Sequence, residues 1–259
     1  MDVGMLTSAF AFVFGLVFGS FLNVCIHRIP EGASLVSPPS HCPACGTRIR
    51  FYDNIPVISY ILLRGRCRSC GRTISPRYPI VELITGLLSL ALALKHGPGV
   101  ESLLSLAFLS ALLVASFIDL QHQIIPDVIS LPGILLGLAQ SFTHWGTVSW
   151  MDSAIGAAAG GGFLYAVAWG FKRMTGKEGM GLGDVKLLAM IGAWMGWRGL
   201  PFIVMLSSLT GILIGGGALL LTKKGLRVRI PFGPFLSIGA FLLFFFGPQI
   251  RRIYDGLVF

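Results

Sequence analysis

The sequence predicts an all-α polytopic membrane protein with about eight transmembrane helices. Of its 259 residues, 54% are hydrophobic and only 12% are charged, and the mean hydropathy is +0.79. A water-soluble domain carries about 25% charged residues, so too little polar surface remains to cover a globule in water. The third observation is the regular spacing of long apolar runs, which fits repeated crossings of a lipid bilayer.

Eight apolar runs account for the predicted helices. The first has no Lys or Arg before it and no small-residue cleavage site after it, which favours a retained helix over a signal peptide. The sixth is short, contains two glycines, and is predicted as a short or tilted span. In chain order the runs are 6–26, 79–95, 102–119, 127–143, 153–171, 187–198, 201–221 and 233–249.

The formal net charge of +9 is concentrated in a few segments between the spans. Segment 27–78 carries eight arginines against Glu31 and Asp53, whereas the loops at 96–101 and 144–152 contain no Lys or Arg. Because cytoplasmic loops are enriched in basic residues, segment 27–78 and the basic loops at 172–186 and 222–232 are predicted to be cytoplasmic. The aromatic residues lie in apolar spans, so no nucleic-acid surface is indicated. The predicted partner of the apolar spans is the lipid bilayer.

The predicted organisation is a first helix at 1–26, a hydrophilic insert at 27–78 and a seven-helix body at 79–259. The insert carries two C-x-x-C-Gly pairs, formed by Cys42 and Cys45 and by Cys67 and Cys70. Four thiolates satisfy tetrahedral Zn²⁺ and leave no open position for a water, which indicates a structural site. Two disulfides or four free thiols are the alternatives, but structural disulfides are rare in the reducing cytoplasm.

Acidic residues near the spans are few and costly. Asp119 ends an apolar helix, where the negative end of the helix dipole disfavours an anion. Asp184 closes a run with alternating Gly181 and Gly183, and it could also cap a helix that starts at Val185. Asp127 follows Pro126, a pattern typical of a helix start.

The joint position of Asp119 and Asp184 is the strongest functional signal. The third span ends and the sixth begins on the same predicted side, so the two carboxylates should lie at the same membrane depth. Two adjacent carboxylates do not readily both ionise and can share one proton. One then serves as a general base on water, while the protonated partner polarises a carbonyl. This pattern predicts an aspartic peptidase.

The chain resembles the bacterial type IV prepilin peptidases, the leader peptidase/N-methyltransferases. The similarity runs in family order across nearly the whole chain. It lies in Gly19-Ser20-Phe21-Leu22-Asn23-Val24, the two cysteine pairs, Arg77-Tyr78-Pro79-Ile80-Val81-Glu82-Leu83, Asp119 through Ile125-Pro126-Asp127, Gly181-Leu182-Gly183-Asp184-Val185-Lys186, and Pro231-Phe232-Gly233-Pro234.

The resemblance implies an eight-helix GxGD-type aspartic peptidase of the bacterial inner membrane, with Asp119 and Asp184 as the catalytic pair. It implies that the substrates are type IV prepilins or type II secretion pseudopilins, cut after a Gly on the cytoplasmic side. It also implies N-methylation of the new N-terminus with S-adenosylmethionine, an activity associated with the cysteine-bearing insert. Gly181, Gly183, Lys186 and Asp127 are expected to support the peptidase site.

The cofactor site is expected near Ser20, Asn23 and Glu82, which are polar residues close to the cytoplasmic ends of the first two spans. Hydrogen bonding between helices is the alternative role for Ser20 and Asn23. Lys186 can pair with a carboxylate or extend to the bilayer surface. Two other classes of function are an ion-coupled transporter, which would favour midplane acids and a hydropathy repeat, and a non-enzymatic adaptor using the insert. The adaptor would leave the aspartate pair unexplained.

Overall fold

The computed structural model describes residues 3–177, 179–217 and 231–258, and these residues form helices and loops with no β-strand. The α-helices are α1 (Val3–Arg28), α2 (Ile58–Leu62), α3 (Arg77–His96), α4 (Val100–His122), α5 (Asp127–Gln140), α6 (Trp150–Thr175), α7 (Leu182–Met195), α8 (Leu200–Thr210) and α9 (Gly233–Val258). A π-helical turn at Gly211–Gly216 continues α8, and short 3₁₀ turns lie at Phe51–Asp53 and Trp197–Gly199.

Six helical segments in the described part of the chain are long and apolar enough to cross a membrane. They lie in α1, α3, α4, α6, α8 with its flanking turns, and α9. Helices α5 and α7 have 14 residues each, which is shorter than the roughly 20 residues of a straight crossing. The all-helical, multi-pass character is therefore confirmed, while the count of eight stays a prediction. Most of the basic loop at 222–232, including Lys223, Lys224, Arg227 and Arg229, lies outside the described residues.

Several helix ends differ from those expected from hydropathy. Helix α7 begins at Leu182 rather than at 187. Its first residues include Asp184 and Lys186, and these charged residues interrupt the apolar run from which the helix was predicted. Its N-cap is Gly181, so the alternative of Asp184 as the cap is wrong. Helix α5 ends at Gln140 rather than at 143, because the residues after it form a turn in which Thr143 bonds back to Gln140.

The chain divides into two compact units, Met1–Ser110 and Ala111–Phe259. In the first unit, α1 packs against α3 through small residues. A Cβ atom on Gly15 would lie 2.6 Å from the Thr85 carbonyl oxygen, and one on Gly19 would lie 2.7 Å from the Cα of Glu82. Gly15 and Gly19 form a small-xxx-small pattern, which lets two membrane helices approach at the backbone.

In the second unit, α7 is held between α5 and α6. Gly156 of α6 and Gly192 of α7 meet so closely that a Cβ on either would clash with the carbonyl oxygen of the other. The Trp194 indole donates to the Gly133 carbonyl oxygen at 2.8 Å, and Ser153 Oγ donates to the Ala193 carbonyl oxygen at 2.6 Å. These contacts fix α7, the helix that carries Asp184.

Candidate active site and metal centre

The two predicted aspartates come together at one end of the second unit. Asp119 lies in the last turn of α4 and only 5% of it is exposed. Asp184 is partly buried in the first turn of α7. The carboxylates are close enough for the charge of Asp119 to act on Asp184. Residues far apart in sequence thus form one acidic pair.

The backbone of Gly233 completes the surroundings of Asp119. Gly233 is the first residue of α9, and its N–H donates to Asp119 Oδ2 at 3.0 Å. A Cβ at Gly233 would lie 2.7 Å from that oxygen, so any side chain here would displace the Asp119 carboxylate. The positive end of the α9 dipole offsets the unfavourable dipole at the end of α4. The motif Pro231-Phe232-Gly233-Pro234 belongs to the family resemblance, but its sequence does not reveal this role. The available signal was Pro234, which is typical of a helix start.

Ile125 joins the elements around the pair. Its side chain is buried, and a Cβ on Gly183 would lie 3.0 Å from the Cβ of Ile125. A Cβ on Gly233 would lie 3.1 Å from its Cδ1. Glycines at 183 and 233 therefore let the starts of α7 and α9 close on the loop that follows α4. Gly181, in contrast, has no tight neighbour and is the N-cap of α7.

The remaining predicted supporting residues form an ion pair. Asp127 is the first residue of α5, and its Oδ1 accepts from Lys186 Nζ at 2.6 Å. Of the two roles expected for Lys186, the structure has the carboxylate pair. Both side chains are partly exposed, so the pair adds little stability by itself. It does hold the first turn of α7, with Asp184 in it, beside the start of α5.

The four cysteines of the insert form a compact cluster. Their sulfur atoms all lie within 4.8 Å of one another, and the Sγ atoms of Cys42 and Cys70 are 3.9 Å apart. Tetrahedral Zn–S bonds of about 2.3 Å imply S–S distances of about 3.8 Å, so the cluster fits a tetrahedral metal ion. All four cysteines are free, which disfavours the disulfide alternative. Gly46 and Gly71 take φ values of +69° and +70°, as the tight turns require.

The thiols of the cluster differ in acidity. Hydrogen bonds from Thr47 lower the pKa of Cys45 to about 6. Backbone hydrogen bonds from Cys70 and Ser69 lower the pKa of Cys67. A hydrogen bond from the Arg72 backbone acts to lower the pKa of Cys70, but desolvation and hydrogen bonds with the other three cysteines together raise that pKa to about 11. Crowded thiolates repel one another, and a bound divalent cation would relieve that repulsion.

The three residues expected at a cofactor site also meet. Glu82 is buried, and its carboxylate accepts from the Ser20 hydroxyl and, through Oε2, from Val57 N at 2.8 Å. Asn23 is 3% exposed and donates through Nδ2 to the Tyr78 carbonyl oxygen at 3.0 Å. Its Oδ1 is buried without a hydrogen-bond partner. This unused acceptor fits a role in holding a donor group of a ligand.

Comparison with known proteins covers both units. Residues 13–96 match the Bacterial Peptidase A24 N-terminal domain, and residues 106–216 match the Type IV leader peptidase family. No solved structure is a significant match.

Full-length relatives share the prepilin leader peptidase/N-methyltransferase name. The protein of that name from Aeromonas hydrophila is 42% identical over 94% of this chain and 92% of its own length. Those from Pseudomonas putida and Pseudomonas aeruginosa are 42% and 43% identical, each over 93% of this chain, and cover 91% and 90% of the relatives. This chain therefore belongs to the type IV leader peptidase family and is a multi-pass membrane peptidase of that family.

Proposed function

We propose that this enzyme cleaves the short basic leader from type IV prepilins or type II secretion pseudopilins. The cut follows a Gly at the cytoplasmic face of the bacterial inner membrane and uses Asp119, Asp184 and a water. The observation that carries this proposal is the meeting of a buried acidic side chain from α4 and a partly buried one from α7. The names of the full-length relatives support the substrate class.

The chemistry follows from the carboxylate pair. One carboxylate takes a proton from water, and the other, protonated, donates a hydrogen bond to the scissile carbonyl oxygen. The pair titrates as a unit, because the proton is shared. Gly233 orients Asp119 through its backbone N–H, and the Lys186–Asp127 ion pair holds the turn that carries Asp184.

The topology belongs to the same proposal. The arginine-rich insert at 27–78 faces the cytoplasm, and the eight helices α1 and α3–α9 cross the bilayer, with α5 and α7 as short spans. The functional parts are a first helix at 1–26, the insert at 27–78, which is associated with methylation, and a body at 79–259 that holds the peptidase site. The insert binds one structural Zn²⁺ through Cys42, Cys45, Cys67 and Cys70.

A second activity is N-methylation of the new N-terminal residue. S-adenosylmethionine would supply the methyl group, and Ser20, Asn23 and Glu82 are the residues we assign to its site. The unpartnered Oδ1 of Asn23 supports this assignment. Glu82 holds the insert against α1 and α3 through Val57 and Ser20, which ties the geometry of the site to the insert.

Mass spectrometry of a purified prepilin tests both activities in one experiment. Incubation with the reconstituted enzyme is expected to remove the leader, and added S-adenosylmethionine is expected to add one methyl group to the product. Asn23→Ala should lose the methyl group and keep leader removal. An intact prepilin after incubation with folded wild-type enzyme would overturn the peptidase assignment, and a processed but unmethylated product would overturn the methyltransferase assignment alone.

A further inference from the structure

The short helix α2 carries an exposed apolar face inside an otherwise hydrophilic insert. Its five residues include Ile58, Ile61 and Leu62, which are 53%, 66% and 74% exposed. The spacing i, i+3, i+4 places these three side chains on one side of the helix. Ser59 is buried on the other side. Such a face is costly in water and marks a contact with lipid or protein.

The segment beside α2 carries two further exposed apolar residues, Phe51 and Ile55. Ser59 Oγ accepts from Ile55 N at 3.0 Å and donates to the Tyr52 carbonyl oxygen at 2.9 Å. These bonds hold segment 51–55 against α2, and Phe51 in that segment is 87% exposed. The apolar surface is therefore a built feature of the insert rather than a single exposed side chain.

A tether to α3 sets the level of α2 relative to the membrane helices. The N–H of Val57, the residue before α2, donates to Glu82 Oε2 at 2.8 Å. Glu82 lies about 7.5 Å along α3 from Arg77, its first residue. The Glu82 side chain leans toward the start of α3, so Val57 lies level with the first turns of that helix. The Arg77 guanidinium lies over the ring of Tyr78 at 5.0 Å, and tyrosine is enriched at membrane–water interfaces.

The backbone at Val57 is strained in order to make this tether. Its φ is +61°, a value that β-branched residues rarely adopt. Strain of this kind persists where surrounding contacts enforce it. Here the enforcing contact is the buried Glu82 carboxylate, which Ser20 of α1 also contacts. Helix α2 is thus fixed to both α1 and α3 at the level of their interfacial turns.

The charge around α2 identifies what covers its apolar face. Arg64 and Arg66 follow the helix directly and are exposed. Arg68, in contrast, is paired with Asp53 at 2.6 Å. A basic prepilin leader would be repelled by this surface, whereas anionic lipid headgroups would be attracted to it.

We propose that α2 is an interfacial membrane anchor of the insert. Ile58, Ile61 and Leu62 lie at the boundary of headgroups and acyl chains, as amphipathic segments do. Arg64 and Arg66 bind the phosphates of anionic phospholipids. This inference does not depend on the proposed catalytic activities, because it rests on the tether, the apolar face and the charge alone.

Site-specific photocrosslinking in nanodiscs tests the anchor. Full-length enzyme carrying Leu62→p-benzoylphenylalanine is irradiated in phosphatidylglycerol nanodiscs, and lipid adducts are measured by mass spectrometry. The matched control is Val36→p-benzoylphenylalanine. Val36 is 90% exposed and apolar, but it lies in a segment held beyond the end of α1 by bonds from Arg28 to Ser34 and Pro38. Lipid adducts are expected at position 62 and not at position 36.

The second part of the experiment varies the charge of the lipid. Each arginine near an anionic surface contributes about fivefold to binding, so losing the attraction to both Arg64 and Arg66 in phosphatidylcholine nanodiscs should lower the adduct at position 62 by about 25-fold. Arg66→Gln in phosphatidylglycerol removes one of these two charges and should lower the adduct about fivefold while bound metal is retained. Equal adducts at positions 36 and 62, adducts independent of lipid charge, or crosslinks to a second copy or to prepilin would each overturn the proposal.

Discussion

At the scale of single residues, the surroundings of Asp119 explain how a carboxylate is held at the end of an apolar helix. Helix α4 opposes the charge through its dipole, and burial removes solvent from the side chain. The N–H of Gly233 compensates by donating to Oδ2. Because a side chain at position 233 would occupy the space of that oxygen, the orientation of Asp119 depends on the absence of a Cβ.

Gly233→Ala is therefore expected to displace Asp119. A displacement of about 1 Å at a catalytic group can reduce the rate about 10²-fold, and we expect leader cleavage to slow by that order with bound metal unchanged. Gly162→Ala is the matched control, since a Cβ there meets nothing within 4 Å. Equal cleavage rates for the two variants would show that Gly233 does not position Asp119 for catalysis.

Some of these residues can be predicted from the sequence, and others cannot for a physical reason. Asp119 and Asp184 stand out because charged groups in apolar spans are costly, and the cysteines stand out by their spacing. The contribution of Gly233 is a backbone N–H, which every residue except proline has, so side-chain chemistry gave no signal. Likewise, nothing local to Val57 indicated its bond to Glu82, because that bond joins the insert to a membrane helix.

At the scale of elements, glycines determine how closely α6 and α7 approach. Gly156 and Gly192 bring the two backbones into contact, and a Cβ on Gly160 would lie 2.5 Å from the Leu188 carbonyl oxygen. The position of α7 depends on this packing together with the hydrogen bonds of Trp194 to Gly133 and of Ser153 to Ala193. The sequence suggested the helix from its apolar run. It could not give the start at Leu182, because polar residues in a first helical turn break the hydropathy pattern.

Gly192→Ala should force α7 away from α6. Overpacking of this kind costs about 1–3 kcal/mol, and we expect a lower melting temperature together with slower cleavage, because Asp184 moves with the helix. A thermal unfolding series in detergent measures the first effect. Gly170→Ala in α6, where a Cβ meets nothing within 4 Å, should unfold like the wild type. A Gly192→Ala variant with wild-type stability would contradict the close approach.

At the scale of the whole molecule, composition and the positions of apolar runs were enough to predict a multi-pass helical protein. The division into two compact units was not predictable, because hydropathy reports burial in lipid and not which helices pack together. The insert shows the same limit. Its cysteine spacing predicted a cluster, but α2 has only five residues, which is too short for a hydropathy pattern to identify it as a helix.

Metal should hold the insert together. Four cysteines within one cluster and little apolar burial around them resemble small zinc modules, where metal contributes on the order of 10 kcal/mol. Purified enzyme is expected to contain one Zn²⁺, and a strong chelator should increase hydrogen exchange across 42–70.

Cys42→Ser should lose the ion, whereas Cys25→Ala, outside the cluster, should keep it. Absence of stoichiometric metal from folded wild-type enzyme would contradict the metal site.

The central claim is that Asp119 and Asp184 act as one catalytic pair, and the most direct measurement is the cleavage rate of purified variants on a prepilin. Asp119→Asn and Asp184→Asn should each reduce cleavage by about 10³-fold or more, because removing either member of a unit abolishes its function. Asp152→Asn is the control, since Asp152 bonds to Ser149 and Trp197 away from the pair, and it should cleave normally. Wild-type cleavage by either Asp119→Asn or Asp184→Asn would contradict the account.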